Sequence, residues 1–503
     1  MTDAPPTKRR GMSPMTRRAL LLGTGAAAGY AAAWALAPDR PTLVGTAQLP
    51  NAGPASLDDA SGLMATRIEA HQVYDGLPPR ALRDAYTLEL GRAGDRPVMV
   101  SAARHTMGGH TLPPGGRAVT VTGGAIEVDT GARLFRAPGG ARWRGVIGQL
   151  DPLGFGPAVM QSNHDFGVAA TFSVDAHGWA APRGPMSSTV REIEMMLPNG
   201  DMVTCSRSQE AELFSAAAGG YGLIGLITSI TCEMVPNQRL VPTFRRMPAH
   251  DLGTAFSAAM REPSNVMAYA RLSVDRDMFF DEALLVTYAP DVDQRNLEPA
   301  SGSGMTARAG ARLYRWQIGH EGWKRRRWDI EAGLMPRIGA GAVTRNSLIN
   351  EPVATLDDGD PDRTDILHEY FVAPERFPEF LEICRRIIPG SYQELINITL
   401  RWVAADDTAM LGYAHADRIA GVMSFSQERT ARADADMARM TEELIEAVIG
   451  IGGTYYLPYR PHATPEQFVR AYPSAENFAQ LKRRLDPKLR LRSVFWDRYL
   501  EPL

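Results

Sequence analysis

The stretch Pro97 to His110, PVMVSAARHTMGGH, constrains this chain more than any other. A short apolar strand, Pro97 to Ala102, runs into Ala103-Arg104-His105-Thr106-Met107-Gly108-Gly109-His110. Small residues and glycines after a strand expose successive backbone N–H groups, which form an anion-binding nest without a helix. A diphosphate fits such a turn. His105 stands where a ligand would lie, and a neutral imidazole can act as a nucleophile. A turn histidine bonded to the backbone is the plainer account of the same residue.

A second glycine run, Gly220-Tyr221-Gly222-Leu223-Ile224-Gly225, has GxGxxG spacing. A dinucleotide site of that type needs a strand, a glycine turn and then a helix whose N-terminal amides face the pyrophosphate. Here the order is inverted: Glu210 to Ala218 reads as helix and Leu226 to Val235 as strand. A helix C-terminus presents carbonyls, so this run does not cradle phosphate in that way. Its glycines allow a tight turn and a close backbone approach to something flat.

With 503 residues, 44% hydrophobic and 22% charged, the chain can bury a substantial core spread over several domains. The formal net charge of -3 gives no footprint for nucleic acid, which points to a small-molecule partner. Cys205, Cys232 and Cys384 are too few and too scattered for a disulfide framework or a CxxC-type metal site, and allow one bridge at most. No metal is expected.

Residues 1–37 carry Lys8, Arg9 and Arg10, then Thr16-Arg17-Arg18-Ala19-Leu20-Leu21, then an apolar run to Ala37 diluted by Gly23, Gly25 and Gly29. That order reads as a twin-arginine export signal, with a transmembrane helix as the alternative. The expected location is periplasmic or extracellular, and an uncleaved signal would tether the protein to the membrane. Residues 38–66, rich in Pro, Ala, Gly and Asp, read as a linker.

After Pro236 short strand-like runs alternate with helical ones. Val266–Leu272, Ala283–Tyr288, Asp365–Pro374 and Ile396–Val403 read as strands, and Pro374–Ile388 and Asp434–Ile449 as helices, giving an antiparallel sheet flanked by helices. Strand alternation puts Asn397, Thr399 and Arg401 on one face. The run Trp323-Lys324-Arg325-Arg326-Arg327-Trp328 reads as a solvated helix face, or as a patch resting on an anionic membrane.

The pieces VMVSAARHTMGGH, AVTVTGG, APGGARWRGVIGQLDPLGFGPAVMQSNHDFGVAATFSVDAHGW and STVREIEMMLPNGDMVTCSRSQEAELFSAAAGGYGLIGLITSITCEMVPN occur in that order over residues 67 to about 238. Their order and spacing resemble the FAD-binding (PCMH-type) domain of the vanillyl-alcohol-oxidase superfamily. That superfamily includes cytokinin dehydrogenases, aldonolactone and alditol oxidases, and decaprenylphosphoryl-ribose oxidases. The resemblance implies an α+β chain: a two-lobed FAD-binding domain at 67–238, an antiparallel-sheet substrate cap at 239–452, and a segment at 453–503 returning to the FAD domain.

The resemblance also implies roles. His105 takes the position bonded covalently to the flavin in many relatives, with noncovalent FAD as the alternative. Ala102, Ala103, Arg104, Thr106, Met107, Gly108, Gly109 and His110 fall on the pyrophosphate loop around it. Ser162, Gly167, Val168, Ser173, Ala176, His177 and Gly178 match the loop closing over phosphates and ribose, Ile227 the adenine end, and Tyr456 a flavin-contacting tyrosine. No cysteine lies in residues 155–180, so a second covalent link is not expected.

Departures bear on the chemistry. Relatives often carry paired glycines where this chain has Ala169-Ala170, and sugar oxidases carry Glu-x-Arg where it has Thr399-Leu400-Arg401. Tyr459 replaces a lysine that is catalytic in the ribose-oxidase branch. Arg401 is expected to hold a substrate oxygen or stabilise negative charge, or to pair with an acid such as Glu369; Asp165 and Glu369 are the candidate bases. The expected activity is hydride transfer from a C–H beside a hydroxyl or amine to FAD, with oxygen or another acceptor reoxidising it. An NADPH-fed reductase of the muramate-precursor type and a non-catalytic flavin carrier are the rival readings.

Overall fold

The computed structural model describes residues 49, 53, 55–301, 314–338, 341–352 and 360–503; the expected signal segment, 1–37, lies outside them. The first layer is a three-stranded parallel sheet of β1 (Ala70–Asp75), β2 (Val98–Ser101) and β3 (Arg117–Thr122), with β3 in the middle. β3 is buried from Ala118 to Val121, as a parallel strand covered on both faces should be. Helix α1 (Pro79–Ala93) covers it, starting with proline at a position where the missing N–H costs nothing. Leu82, Tyr86, Glu89 and Ala93 recur at helical spacing on its buried side. Glu89 is tolerated there because Arg117 donates to it at 2.7 and 2.9 Å and Tyr74 at 2.8 Å.

The second layer is a six-stranded antiparallel sheet. β4 (Glu127–Asp129), β5 (Leu134–Pro138), β7 (Val190–Met196), β8 (Met202–Cys205) and β9 (Leu226–Pro236) run in the order β8-β7-β9-β5-β4, with β6 (Phe155–Pro157) also on β9. Helices α2 (Trp143–Leu150), α3 (Val168–Ser173) and α4 (Ala211–Ala217) lie along the intervening connections. The inverted helix-glycine-strand order around Gly220 is therefore present as α4, turn and β9. Cys205, Cys232 and Cys384 are buried free thiols.

The chain passes from β9 into an eight-stranded sheet, antiparallel at every pairing. In chain order its strands are β10 (Arg239–Pro248), β11 (Met267–Leu272), β12 (Glu282–Pro290), β13 (Val343–Thr344), β14 (Arg363–Val372), β15 (Glu394–Val403), β16 (Arg418–Glu428) and β17 (Thr454–Tyr455). Across the sheet they stand β13-β10-β12-β11-β15-β16-β14-β17.

Register decides which residues share a face of this sheet. Val422 on β16 pairs with Glu369 on β14 and with Thr399 on β15, so these three and Arg401 point the same way. The neighbours His368 and Tyr370 point oppositely, onto helices α5 (Phe377–Ile387) and α6 (Ala431–Gly450): His368 Nε2 lies 3.1 Å from Thr441 Oγ1, and Tyr370 packs beside Phe380. Phe377, Phe380, Leu381, Met440, Leu444 and Val448 bury this outer face, each contributing about 1.5–3 kcal/mol.

Two expectations change on contact with the fold. The described part of 38–66 forms a clasp where an open linker was expected. Ser56–Leu57 pairs with Thr66–Arg67, Ala60 N–H donates to the Thr106 carbonyl at 3.2 Å, and Thr364 Oγ1 on β14 donates to the Ser61 carbonyl at 2.7 Å. The basic run forms a two-turn helix, Glu321–Trp328, yet it is only partly solvated. Lys324 is buried between Glu321 at 2.8 Å and Glu394 at 3.1 Å, and Trp328 Nε1 donates to Glu282 at 2.7 Å. Carboxylates on neighbouring strands draw that side of the helix inward. No helix among the described residues is long and apolar enough to cross a membrane.

Candidate functional site

A cleft of about 1300 Å³ of empty volume takes walls from all three sheets. The β2–β3 turn supplies Ala102 through Thr106. Arg104 adopts φ 51° there, a left-handed conformation that curls neighbouring amides to one side, and its guanidinium donates to Thr120 Oγ1 at 2.7 Å. Met107 N–H donates to the Pro458 carbonyl at 2.7 Å, and a Cβ on Gly108 would stand 2.6 Å from the Tyr459 carbonyl oxygen. Only glycine lets the returning chain dock so closely.

His105 lies beside Phe166, ring centroids 4.5 Å apart. Burial lowers its pKa, Asp165 opposes the shift, and Arg142 and Arg104 add to it, so the ring is neutral at pH 7. His110 is sandwiched by Tyr221 and Phe495, and burial pushes its pKa down to about 3. The hydroxyls of Thr106 and Thr111 are buried at this wall without a hydrogen-bond partner among the described residues. Buried polar atoms rarely stay unsatisfied, so they mark where a polar ligand belongs.

The second sheet and its loops supply Gly139, Gln161, Phe166, Gly167, Ala169, Ala170, Ser173, Ala176, His177, Tyr221, Gly222, Gly225 and Ile227. Gly222 has φ 73°, and a Cβ added there would meet nothing closer than Met99 at 3.7 Å, which leaves backbone bare toward the cleft.

The eight-stranded sheet supplies Leu367 and Glu369 from β14 and Arg401 from β15, and the chain after β17 supplies Tyr456, Pro458 and Tyr459. Glu369 Oε1 is hydrogen-bonded to His177 Nε2, and Glu369 Oε2 accepts from the Tyr459 hydroxyl at 3.2 Å. His177 and Glu369 are each 3% exposed, so each needs the other. Arg401 donates to the His177 carbonyl and to Ser162 Oγ, both at 3.4 Å. Tyr456 donates to the Val174 carbonyl at 2.7 Å, and burial raises the pKa of both Tyr456 and Tyr459 well above the usual phenol value.

A family model described as an FAD binding domain matches residues 85–206. Cytokinin dehydrogenase 7 of Oryza sativa subsp. japonica is 34% identical over 152 residues, 29% of each chain, and Cytokinin dehydrogenase 6 of the same organism is 34% identical over 155 residues, again 29% of each. Alditol oxidase of a Streptomyces species is 24% identical over 392 residues, 73% of this chain and 81% of that protein. The chain therefore carries an FAD binding domain over residues 85–206. It matches under a third of the length of these cytokinin dehydrogenases.

The cleft has a wall whose chemistry fits FAD: a turn with Arg104 in the left-handed region, unsatisfied hydroxyls of Thr106 and Thr111 beside it, and uncrowded backbone at Gly222. Of the residues expected to hold the cofactor, Ala102, Ala103, Arg104, His105, Thr106, His110, Gly167, Ser173, Ala176, His177, Ile227 and Tyr456 line the cleft. Met107, Gly108 and Gly109 belong to the same turn but face the returning chain and the N-terminal clasp. Val168 is fully buried behind the wall, Gly178 is pressed against the Met160 carbonyl, and Ser162 reaches the site only through Arg401.

Among the acids and bases, Glu369 and Arg401 reach the cleft and Asp165 does not. The Asp165 carbonyl accepts from Arg142 at 2.8 Å, and its carboxylate lies 3.7 Å from His164. Arg401 engages the His177 carbonyl and Ser162 where an ion pair with Glu369 had been an alternative. His177 was expected over the phosphates but stands with Glu369. No local sequence signal announces that pairing, because the two residues lie 192 positions apart.

Proposed function

We propose that this chain is an FAD-dependent oxidoreductase acting on a small sugar-, alcohol- or amine-like molecule at a C–H bond beside its hydroxyl or amine. The observation that carries the reading is one cleft whose wall includes both the His105 turn and the pair Glu369 and Arg401 on the cap sheet. FAD, when bound, supplies the hydride acceptor, to be reoxidised by oxygen or another acceptor. Ala102 to Thr106 would hold its diphosphate through amides, Gly167, Ser173 and Ala176 its phosphates and ribose, Ile227 its adenine end, and Tyr456 the flavin. Arg401 orients the substrate oxygen and compensates negative charge in the transition state. Glu369 is the acid–base group, since Asp165 lies off the wall. The long match to a protein named alditol oxidase favours a hydroxyl-bearing substrate.

His105 is the proposed covalent anchor: burial keeps its imidazole neutral, so the nitrogen lone pair needed for the bond is available. Export by the twin-arginine route, after FAD is loaded, completes the proposal, and a retained signal would add a membrane tether.

Acid precipitation tests the anchor and the cofactor together. Wild-type protein made with ample riboflavin should give a yellow, fluorescent pellet, and His105→Ala should give a colourless pellet and a yellow supernatant. A wild-type protein colourless before precipitation removes the whole reading. Anaerobic bleaching of the flavin by alcohol, sugar and amine probes then identifies the substrate class.

A further inference from the structure

We propose that Tyr459 is the catalytic residue that receives the substrate's hydroxyl proton while passing its own phenolic proton to Glu369, with His177 as the residue that positions and shares charge with that carboxylate. The proposal rests on the flavin oxidoreductase reading above and assigns the proton path that reading leaves open.

The geometry points this way from both oxygens of Glu369. Oε1 is held by His177 Nε2 and Oε2 by the Tyr459 hydroxyl at 3.2 Å, so each already accepts a hydrogen bond. The Tyr459 proton is committed to Glu369, which leaves the lone pairs of the phenol oxygen as the acceptor that this trio offers to the cleft all three residues line. A carboxylate 3% exposed requires a donor, and the His177 ring N–H supplies one. Arg401 fixes the backbone of His177 through its carbonyl at 3.4 Å. The Arg401 Nε is buried without a hydrogen-bond partner among the described residues, as is His177 Nδ1.

The step balances. The substrate O–H bond breaks and its proton goes to the Tyr459 oxygen as the Tyr459 O–H proton moves to Glu369 Oε2. The carbon gives up hydride, with its electron pair, to the oxidised flavin, and C–O becomes C=O. The substrate loses two electrons, the flavin gains two, and the carboxylate ends neutral. Because burial holds the Tyr459 phenol far above its ordinary range, a free phenolate is costly, and a concerted exchange never forms one.

Anaerobic rapid mixing of the FAD-loaded enzyme with xylitol, benzyl alcohol and glucose, in H2O and D2O, tests the relay. Wild-type flavin reduction should slow in D2O. Tyr459→Phe and Glu369→Gln should retain flavin and slow reduction about 10²- to 10⁴-fold, with the D2O effect lost in Tyr459→Phe. His177→Gln, which keeps a donor, should retain more activity than His177→Ala. An independent readout is a far-downfield imidazole N–H resonance in histidine-labelled protein, present without substrate in wild type and Tyr459→Phe and absent in Glu369→Gln. Wild-type reduction rates in Tyr459→Phe, or no such resonance in wild type, overturn the relay alone. Failure to take up FAD, or to be reduced by any probe, overturns the parent reading and the relay with it.

Discussion

The Asp59 carboxylate accepts a hydrogen bond from the Gly109 amide at 2.9 Å, which ties the N-terminal clasp to the turn that carries His105. The same carboxylate also accepts from Ser61, so one buried side chain organises both sides of the contact. Asp59→Ala should cost about 1–3 kcal/mol, the usual loss when a buried donor is left unpaired. The checks are the urea unfolding midpoint and the rate of flavin loss in a His105→Ala background. An unchanged rate there would show that the clasp does not steady the turn.

Gly167 is a second contact between cleft walls. A Cβ at this position would stand 2.5 Å from Ala102 Cβ, so Gly167→Ala must push the two loops apart. We expect an overpacking cost of about 1–3 kcal/mol and flavin affinity weakened about tenfold. Fluorescence titration of apoprotein with FAD, again in the His105→Ala background, measures the second effect.

Arg401→Lys should not behave as a conservative change. Lysine keeps the charge but loses the planar fork that reaches the His177 carbonyl and Ser162 together. Flavin reduction should fall about 10²- to 10³-fold, with the unfolding midpoint nearly unchanged. Rapid-mixing kinetics and a urea titration on the same preparation separate the two quantities.

Asp175 predicts a pH signature. Burial raises its carboxyl pKa from 3.8 to about 7, against the hydrogen bond from the Ser187 amide at 2.9 Å. The folded form thus holds the proton more tightly than the unfolded chain. Its stabilising contribution is complete below 3.8 and is lost as pH rises through about 7, a swing of about 4 kcal/mol. Asp175→Asn keeps an acceptor for Ser187 and cannot ionise, so relative to wild type it should gain stability between about pH 5 and about pH 8. Urea midpoints at the two pH values decide the matter; a constant difference would contradict it.

What was legible in the sequence is what depends on local pattern. The strand and glycine turn at Pro97–His110, the helix-before-strand order around Gly220, and the face shared by Thr399 and Arg401 follow from short-range spacing. What depends on long-range register was not legible. Tyr459 and His177 meet Glu369 across 90 and 192 positions. Lys324 misled for a related reason. A basic run looks solvated until the acids Glu321 and Glu394 are brought beside it.

The docking of Pro458 against Met107 has a consequence for biosynthesis. The wall beside His105 is completed by residues translated long after the turn itself, so a ribosome-bound chain that has released only its first half presents that turn uncovered. A stop codon just before Pro458 would leave every described upstream strand encoded and yet deprive the Met107 amide of its partner, so the turn beside His105 would lose its backing.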